Sequence, residues 1–328
     1  MTESALHGSR RRIRRTGVAA AGFATAALCV VTVAPAVADD GASGAKPTIV
    51  LVHGAFADGS SWNGVIERLE RQGYTVMAPA NPLRGLYSDS TYIASVLKSV
   101  KGPIVLAGHS YGGAVISTAA AGNDQVKSLV YISALMPDVG ESGMSLGTRF
   151  PSALGTATRT VPYEAGGGVS GTDLYLKRDK VHPVFAACLP KSQANLLGVT
   201  QRPAATTAFS ETAKVAAWKT IPSWALVGRQ DMTISPDQER FEAKRAHSHT
   251  VEINSCHVSL IAHPADVAAL ILQAATATAA TAGGSDRPAL ANSGSVQRTA
   301  VVTGLASASL ATGSALVLLG RRLRRRTY

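Results

Sequence analysis

Short apolar runs alternate with amphipathic stretches along the middle of the chain. The runs are rich in β-branched residues, as buried strands are: TIVLV (48–52), YTVMA (74–78), PIVLAG (103–108), SLVYIS (128–133), SWALVG (223–228) and HTVEI (249–253). Strands that alternate with helices usually form a parallel sheet with helices on its faces. The pattern therefore predicts an α/β fold with a mostly parallel sheet.

Two of the intervening stretches carry clear helix signals. The stretch 62–72 repeats apolar residues at helical spacing, and Gly73 follows it as a C-terminal cap. A second helix is predicted to begin at Pro236, with Ser235 as its N-cap and acidic residues such as Glu239 in its first turn.

The alternation breaks between Pro137 and Lys214. This interval shows no clear strand pattern, contains the glycine-rich stretch EAGGGVSGTD, and has helix-like pieces around TDLYLKRD and KSQANLLG. An insertion of this length between two strands usually has a function, commonly as a lid. We therefore predict a helical cap at about 137–214.

The N-terminal end departs from this pattern. Arginines crowd residues 10–15, residues 17–33 are apolar, and the small residues Ala36 and Ala38 follow. A basic region, an apolar region and a small-x-small site are the three parts of a secretory signal peptide. We predict that residues 1–38 are such a signal; a retained membrane anchor is the alternative.

The C-terminal end has similar parts in the opposite order. A stretch rich in alanine, threonine and glycine (274–289) reads as a linker, and LANSG (290–294) then precedes an apolar span at 300–320 and a basic tail. About twenty apolar residues can cross a bilayer, and arginines favour its cytoplasmic side. The order of parts in 290–328 resembles a sortase sorting signal of Gram-positive bacteria, with Ser293 where that pattern has threonine. A plain membrane anchor is the alternative; both predict attachment to membrane or cell wall outside the cytoplasm.

The formal net charge of +11 is concentrated at the two ends of the chain. Both terminal segments are rich in arginine, and the region between them has nearly equal numbers of basic and acidic residues. A near-neutral domain lacks the basic surface that polyanions require. We therefore expect no nucleic-acid partner.

The chain has three cysteines. Cys29 lies in the predicted signal peptide, so Cys188 and Cys256 remain after export, in an oxidising compartment that favours disulfides. We predict that these two cysteines form a disulfide; two unpaired buried thiols are the alternative.

The stretch GHSYG (108–112) connects a predicted strand to a predicted helix of small residues. Its two glycines allow a sharp turn that exposes the hydroxyl of Ser110 at the end of the strand. A G-x-S-x-G stretch between a strand and a helix is typical of a nucleophilic serine. We therefore predict that Ser110 is the nucleophile.

A serine hydroxyl requires a base, and the base requires an orienting acid. His257 follows the last predicted strand, and we predict that it is the base. Asp231 follows the strand at 223–228 and is the predicted acid; Asp138, after another strand, is the alternative. No acid or cysteine cluster accompanies the histidines, so we expect no metal ion and no cofactor.

Charge that develops on a reacting carbonyl requires hydrogen-bond donors beside the nucleophile. The backbone N–H of Tyr111 begins the helix after Ser110, and VHGAF after the first strand supplies the N–H of Ala55. We predict that Ala55 and Tyr111 form this oxyanion hole.

Several of these stretches together resemble the α/β-hydrolase superfamily, in the branch of small serine esterases that includes plant methylesterases, hydroxynitrile lyases and bacterial carboxylesterases. The resemblance covers about residues 47–272. It rests on VLVHGAFADGSSWNGVIERLERQGYTVMAPANPL, GHSYGGAVI, GRQDMTISPDQERF and HVSLIAHP. It implies an α/β-hydrolase domain at 47–273 with Ser110, Asp231 and His257 as the triad and a helical cap over the site.

The resemblance implies hydrolysis of a small-molecule carboxylic ester through an acyl-enzyme. Two alternatives remain at this point. A hydroxynitrile lyase of this branch uses the same triad with an additional lysine in the pocket, for which Lys177 or Lys180 of the cap could serve. A surface-displayed binding module could also keep the fold without turnover. The sequence leaves the particular ester and the oligomeric state open.

Overall fold

The computed structural model describes residues 46–284. The domain predicted at 47–273 lies within this range. The predicted signal peptide (1–38) and the predicted sorting signal or anchor (290–328) lie outside the described residues. Among residues 46–284, no helix is both long and apolar enough to span a membrane.

Strands and helices alternate through most of the described range. In chain order the strands are β1 (Thr48–Val52), β2 (Val76–Met77), β3 (Ile104–His109), β4 (Val126–Ile132), β5 (Thr158–Glu164), β6 (Ser170–Leu176), β7 (Ala204–Ala205), β8 (Ser223–Gly228) and β9 (His249–Ile253). The helices are α1 (Asn63–Arg71), α2 (Leu86–Leu97), α3 (Tyr111–Ala119), α4 (Gly143–Arg149), α5 (Leu154–Ala157), α6 (Arg178–Lys180), α7 (Lys191–Thr200), α8 (Thr206–Ser210), α9 (Pro236–Arg245), α10 (Ser259–Ala262) and α11 (Pro264–Gly284).

Six strands form one parallel sheet in the order β2-β1-β3-β4-β8-β9. These are the six strands that the apolar runs predict. β3 and β8 are buried along their whole length, which explains why their sequences are almost continuously apolar. The carboxyl ends of parallel strands meet at one edge of the sheet, where α/β proteins bind their ligands.

The segment 137–214 differs from the predicted helical cap, because it contains a second sheet. β5, β6 and β7 pair antiparallel within it, and Gly166 to Gly168, all with positive φ, make the turn between β5 and β6. The helix-like spacing of TDLYLKRD was misleading, since pairing with β5 over seven residues satisfies the backbone of β6. The predicted helix at KSQANLLG is confirmed as α7.

Two further sequence expectations differ from the structure. The last helix, α11, continues to Gly284, so the first part of the stretch read as a linker (274–289) is helical. Ser235 stands at the N-cap position of α9, but its side chain makes no capping hydrogen bond. Gly73, with φ of 75°, ends α1 as predicted.

The cap is joined covalently to the domain below it. Cys188 lies in the cap, between α6 and α7, and forms a disulfide with Cys256, which follows β9. The predicted disulfide is therefore present, and it connects the cap to the loop that carries His257.

Candidate active site

Ser110 occupies the sharp turn between β3 and α3. Its backbone angles, φ of 55° and ψ of −126°, lie outside the regions favoured by residues other than glycine. Contacts with neighbouring residues must therefore hold the serine in this conformation. A Cβ on Gly108 would come within 2.5 Å of the Gly112 carbonyl oxygen, and one on Gly112 within 2.5 Å of the Val52 carbonyl oxygen. Both glycines are thus required by close backbone contact around the serine.

Ser110, His257 and Asp231 form one hydrogen-bonded chain. The Ser110 hydroxyl lies 2.8 Å from His257 Nε2, and His257 Nδ1 lies 2.6 Å from Asp231 Oδ2. An ionised aspartate only accepts, so the histidine carries its proton on Nδ1 and Nε2 accepts from the serine. The three side chains are buried, at 7%, 0% and 2% exposure respectively.

Asp231 is held by the backbone of its own turn. Its Oδ1 accepts from the Thr233 N–H at 2.7 Å and from the Ile234 N–H at 3.0 Å. The alternative acid, Asp138, instead pairs with Lys219 Nζ at 2.5 Å. Of the two candidate acids, Asp231 is therefore the one that reaches His257.

The backbone after β1 lies directly beside the serine. A Cβ on Gly54 would come within 2.6 Å of Ser110 Cβ, so Ala55 follows immediately next to the nucleophile. The next residue, Phe56, has a positive φ of 62°, and its N–H donates to the Arg202 carbonyl of the cap at 2.9 Å. Tyr111 is the first residue of α3, where an N–H has no intrahelical acceptor. Ala55 and Tyr111 thus both lie next to Ser110.

Two buried histidines that the triad does not use support the site. His53 Nδ1 donates to the Gly54 carbonyl, while Nε2 accepts from the Asn81 N–H at 2.9 Å. His109 Nε2 donates to the His257 carbonyl at 3.0 Å, and its ring lies 4.8 Å from that of His257. Burial lowers the pKa of both His53 and His109, the latter well below the usual range. Both rings are therefore neutral supports, and sequence analysis did not find the role of His109.

A cavity of about 470 Å³ opens onto Ser110. Cap residues from α4, α5, α8 and β6 line one side of it, and Ser110 and its neighbours line the other. Its lining includes Phe56, Leu135, Leu174, Phe209 and Ile234, and among the described residues around it none is charged. The cavity therefore suits an uncharged, largely apolar molecule.

The two lysines considered for a lyase do not reach this cavity. Lys177 Nζ donates to the Thr156 carbonyl at 2.9 Å on the exposed side of the cap, and Lys180 pairs with Asp179 there. Neither belongs to the lining. Nothing in the described cavity favours cyanohydrin chemistry.

Two residues of α9 have positions that sequence analysis missed. Gln238 lines the cavity while being only 2% exposed. Glu239, predicted only as an acidic residue in the first turn of a helix, is buried beside Asp231. The signal that could have found it is the helical spacing, because Glu239 follows the exposed Asp237 by two positions, which places it about 200° round the helix, on the opposite face.

Three features together define an α/β hydrolase. The main sheet is parallel, a strained serine follows β3, and an aspartate and a histidine follow β8 and β9. Residues 49–270 match the alpha/beta hydrolase family. The chain belongs to that family.

Similar proteins include the alpha/beta hydrolase nvfD of Aspergillus novofumigatus, 27% identical over 253 residues that cover 70% of this chain and 97% of that protein. A carbendazim hydrolyzing esterase of Nocardioides sp. is 33% identical over 118 residues, covering 32% of this chain and 48% of the esterase.

Solved structures show the same fold. Polyneuridine aldehyde esterase superposes with a TM-score of 0.61 at 18% identity, covering 70% of this chain and 98% of that one. A pyrethroid hydrolase from Sphingobium faniae gives a TM-score of 0.59 at 22% identity, covering 71% and 99%.

Proposed function

We propose that the protein is a serine hydrolase of small, uncharged carboxylic esters that works through an acyl-enzyme. The observation that carries this proposal is the hydrogen-bonded chain from Ser110 through His257 to Asp231, whose serine lines an uncharged cavity. The names of two similar proteins, the carbendazim hydrolyzing esterase and polyneuridine aldehyde esterase, support ester substrates.

The first half of the reaction forms the acyl-enzyme. His257 Nε2 takes the Ser110 proton as Oγ attacks the ester carbonyl carbon, and the N–H groups of Ala55 and Tyr111 stabilise the resulting oxyanion. Asp231 stabilises the imidazolium that forms. His257 then gives the proton to the alcohol oxygen, the carbon–oxygen bond breaks, and the alcohol leaves.

The second half releases the acid. A water molecule loses a proton to His257 and attacks the acyl carbon, and the proton returns to Ser110 as the acyl–serine bond breaks. The same three side chains serve both halves.

A comparison of two matched esters tests the substrate class. The purified protein should hydrolyse a neutral p-nitrophenyl ester with kcat/KM roughly 100-fold above that of an ester of equal length ending in a carboxylate, because a charge buried without a partner is costly. Equal rates for both esters would contradict an uncharged substrate. No turnover of any ester, over a series of graded acyl length, would contradict ester hydrolysis.

We also propose that the protein is exported and held at the cell surface. The order of basic region, apolar region and small-x-small site in 1–38 supports export, as does the disulfide between Cys188 and Cys256. The LANSG stretch with its apolar span and basic tail supports attachment by a sortase, with Ser293 as the departure from the usual pattern.

A further inference from the structure

A second buried carboxyl group lies beside the triad acid. Glu239, in the first turn of α9, is 3% exposed, and its side chain interacts with that of Asp231. Its Oε2 accepts from the N–H of Gly228, the last residue of β8, at 3.1 Å. The mechanism described above does not use this group.

The two carboxyl groups differ in the number of donors that reach them. Asp231 accepts from three N–H groups, which belong to Thr233, Ile234 and His257. Glu239 accepts only from Gly228, and its buried Oε1 receives no hydrogen bond from the described part of the chain. A negative charge is therefore much better stabilised on Asp231 than on Glu239.

Two adjacent carboxylates cannot both remain ionised in such a site, because like charges in a poorly solvated environment repel strongly. Burial raises the pKa of Glu239 well above its usual range, and the charge of Asp231 and the hydrogen bond to it raise the pKa further. A proton on Glu239 also gives the pair the one donor it lacks, since Asp231 can then accept from Glu239.

We propose that Glu239 is a positioning residue: held protonated, it donates a hydrogen bond to Asp231 and fixes the carboxylate that orients His257. The inference rests on the proposed function, because it assigns Asp231 the role of triad acid. With this bond, the Asp231 carboxylate is held by four donors instead of three. Glu239 touches no substrate and acts only through Asp231.

Two substitutions separate this role from simple packing. Glu239→Gln keeps the shape and keeps both functions, since its amide N–H can donate to Asp231 while its carbonyl accepts from Gly228. Glu239→Leu fills similar space without a donor. Loss of orientation at a catalytic group costs on the order of 10- to 100-fold. We expect kcat close to wild type for E239Q and about 10- to 100-fold lower for E239L, with KM unchanged for both.

The proton shared by His257 Nδ1 and Asp231 provides a readout that needs no substrate. This proton should give a far-downfield ¹H NMR resonance, whose position depends on how many other donors Asp231 accepts from. We expect the resonance to stay in place in E239Q and to move in E239L. Glu242→Gln is the matched control: it removes another buried carboxyl of α9, whose hydrogen bonds go to Met136 and Gln238, and should leave the resonance in place.

Several results would overturn the inference. Full kcat and an unmoved resonance in E239L would show that Asp231 needs no such donor. A resonance that moves in E239Q would show that wild-type Glu239 is ionised, and this result does not depend on whether E239L folds. Failure of the proposed function would give a different result. The wild type would hydrolyse no ester, while the resonance would still stay in place in E239Q and move in E239L.

Discussion

Cys188 of the cap is bonded to Cys256, the residue that directly precedes His257. The two cysteines are separated by 68 positions in the sequence. A crosslink that closes a loop of this size stabilises a protein by about 2–5 kcal/mol, mainly by restricting the unfolded chain. The same bond fixes the cap relative to the loop that carries the proposed base.

The first prediction concerns this crosslink. The double variant Cys188→Ser with Cys256→Ser should lose about 2–5 kcal/mol of unfolding free energy, measured by urea denaturation. Wild type kept in reductant should lose a similar amount, and reductant should not change the double variant. A double variant as stable as oxidised wild type would show that the disulfide does not support the fold.

The second prediction distinguishes the two candidate acids. Asp231→Asn should lower kcat by on the order of 10⁴-fold, because an amide favours the wrong tautomer of His257. Asp138→Asn is the matched control, since it removes the contact with Lys219 at a distance from the triad, and should keep kcat within about twofold. Loss of activity in D138N with retention in D231N would assign the acid to the other strand end.

The sequence predicts those parts of the fold and site that short stretches of consecutive residues specify. Short apolar runs predict the strands β8 and β9. The turns after the strands indicate Ser110, Asp231 and His257, because each of these signals spans only a few consecutive residues. The cap strand β5 is not recognisable, because it is mostly exposed and its stability comes from pairing with β6.

The role of Glu239 was missed for a related reason. Acidic residues in the first turn of a helix are commonly exposed and stabilise the helix dipole, and Asp237 fits this description. Glu239 points to the opposite face, where α9 packs on β8, and only the tertiary structure brings it to Asp231. Local sequence propensity predicts the helix α9 correctly, but it does not predict which residues the buried face of the helix contacts.

The third prediction is a fall in stability as pH rises. Burial raises the pKa of Glu242 from 4.5 to about 8. A carboxyl whose pKa is higher in the folded state contributes its full stability below its unfolded pKa, and this contribution is lost as pH rises through the folded pKa. Between about pH 4.5 and 8, the unfolding free energy should fall by up to roughly 5 kcal/mol from this group alone.

Glu242→Gln checks the assignment. The amide has no charge to bury, so the unfolding free energy of E242Q should vary less with pH over the same range than that of wild type. Glu239, whose pKa is also raised, should leave a residual slope of the same sign. Superimposable pH profiles for E242Q and wild type would contradict the assignment to Glu242.

The fourth prediction concerns attachment to the cell. If a sortase joins the chain to the wall at residues 290–294, muramidase treatment of whole cells should release enzyme that lacks the tail RRLRRRTY. Replacing Leu290 with Ala should abolish this release and leave the signal peptide unaffected. Recovery by detergent alone, with the basic tail still attached, would instead show a membrane anchor.

The most direct test of the central claim is covalent labelling of the proposed nucleophile. A fluorophosphonate should react with the purified protein, and peptide mass spectrometry should find one adduct, on Ser110. His257→Ala should abolish labelling at the same probe concentration, because the serine then lacks its base. An unlabelled Ser110 in folded wild-type protein, or equal labelling in H257A, would contradict a serine hydrolase activated by His257.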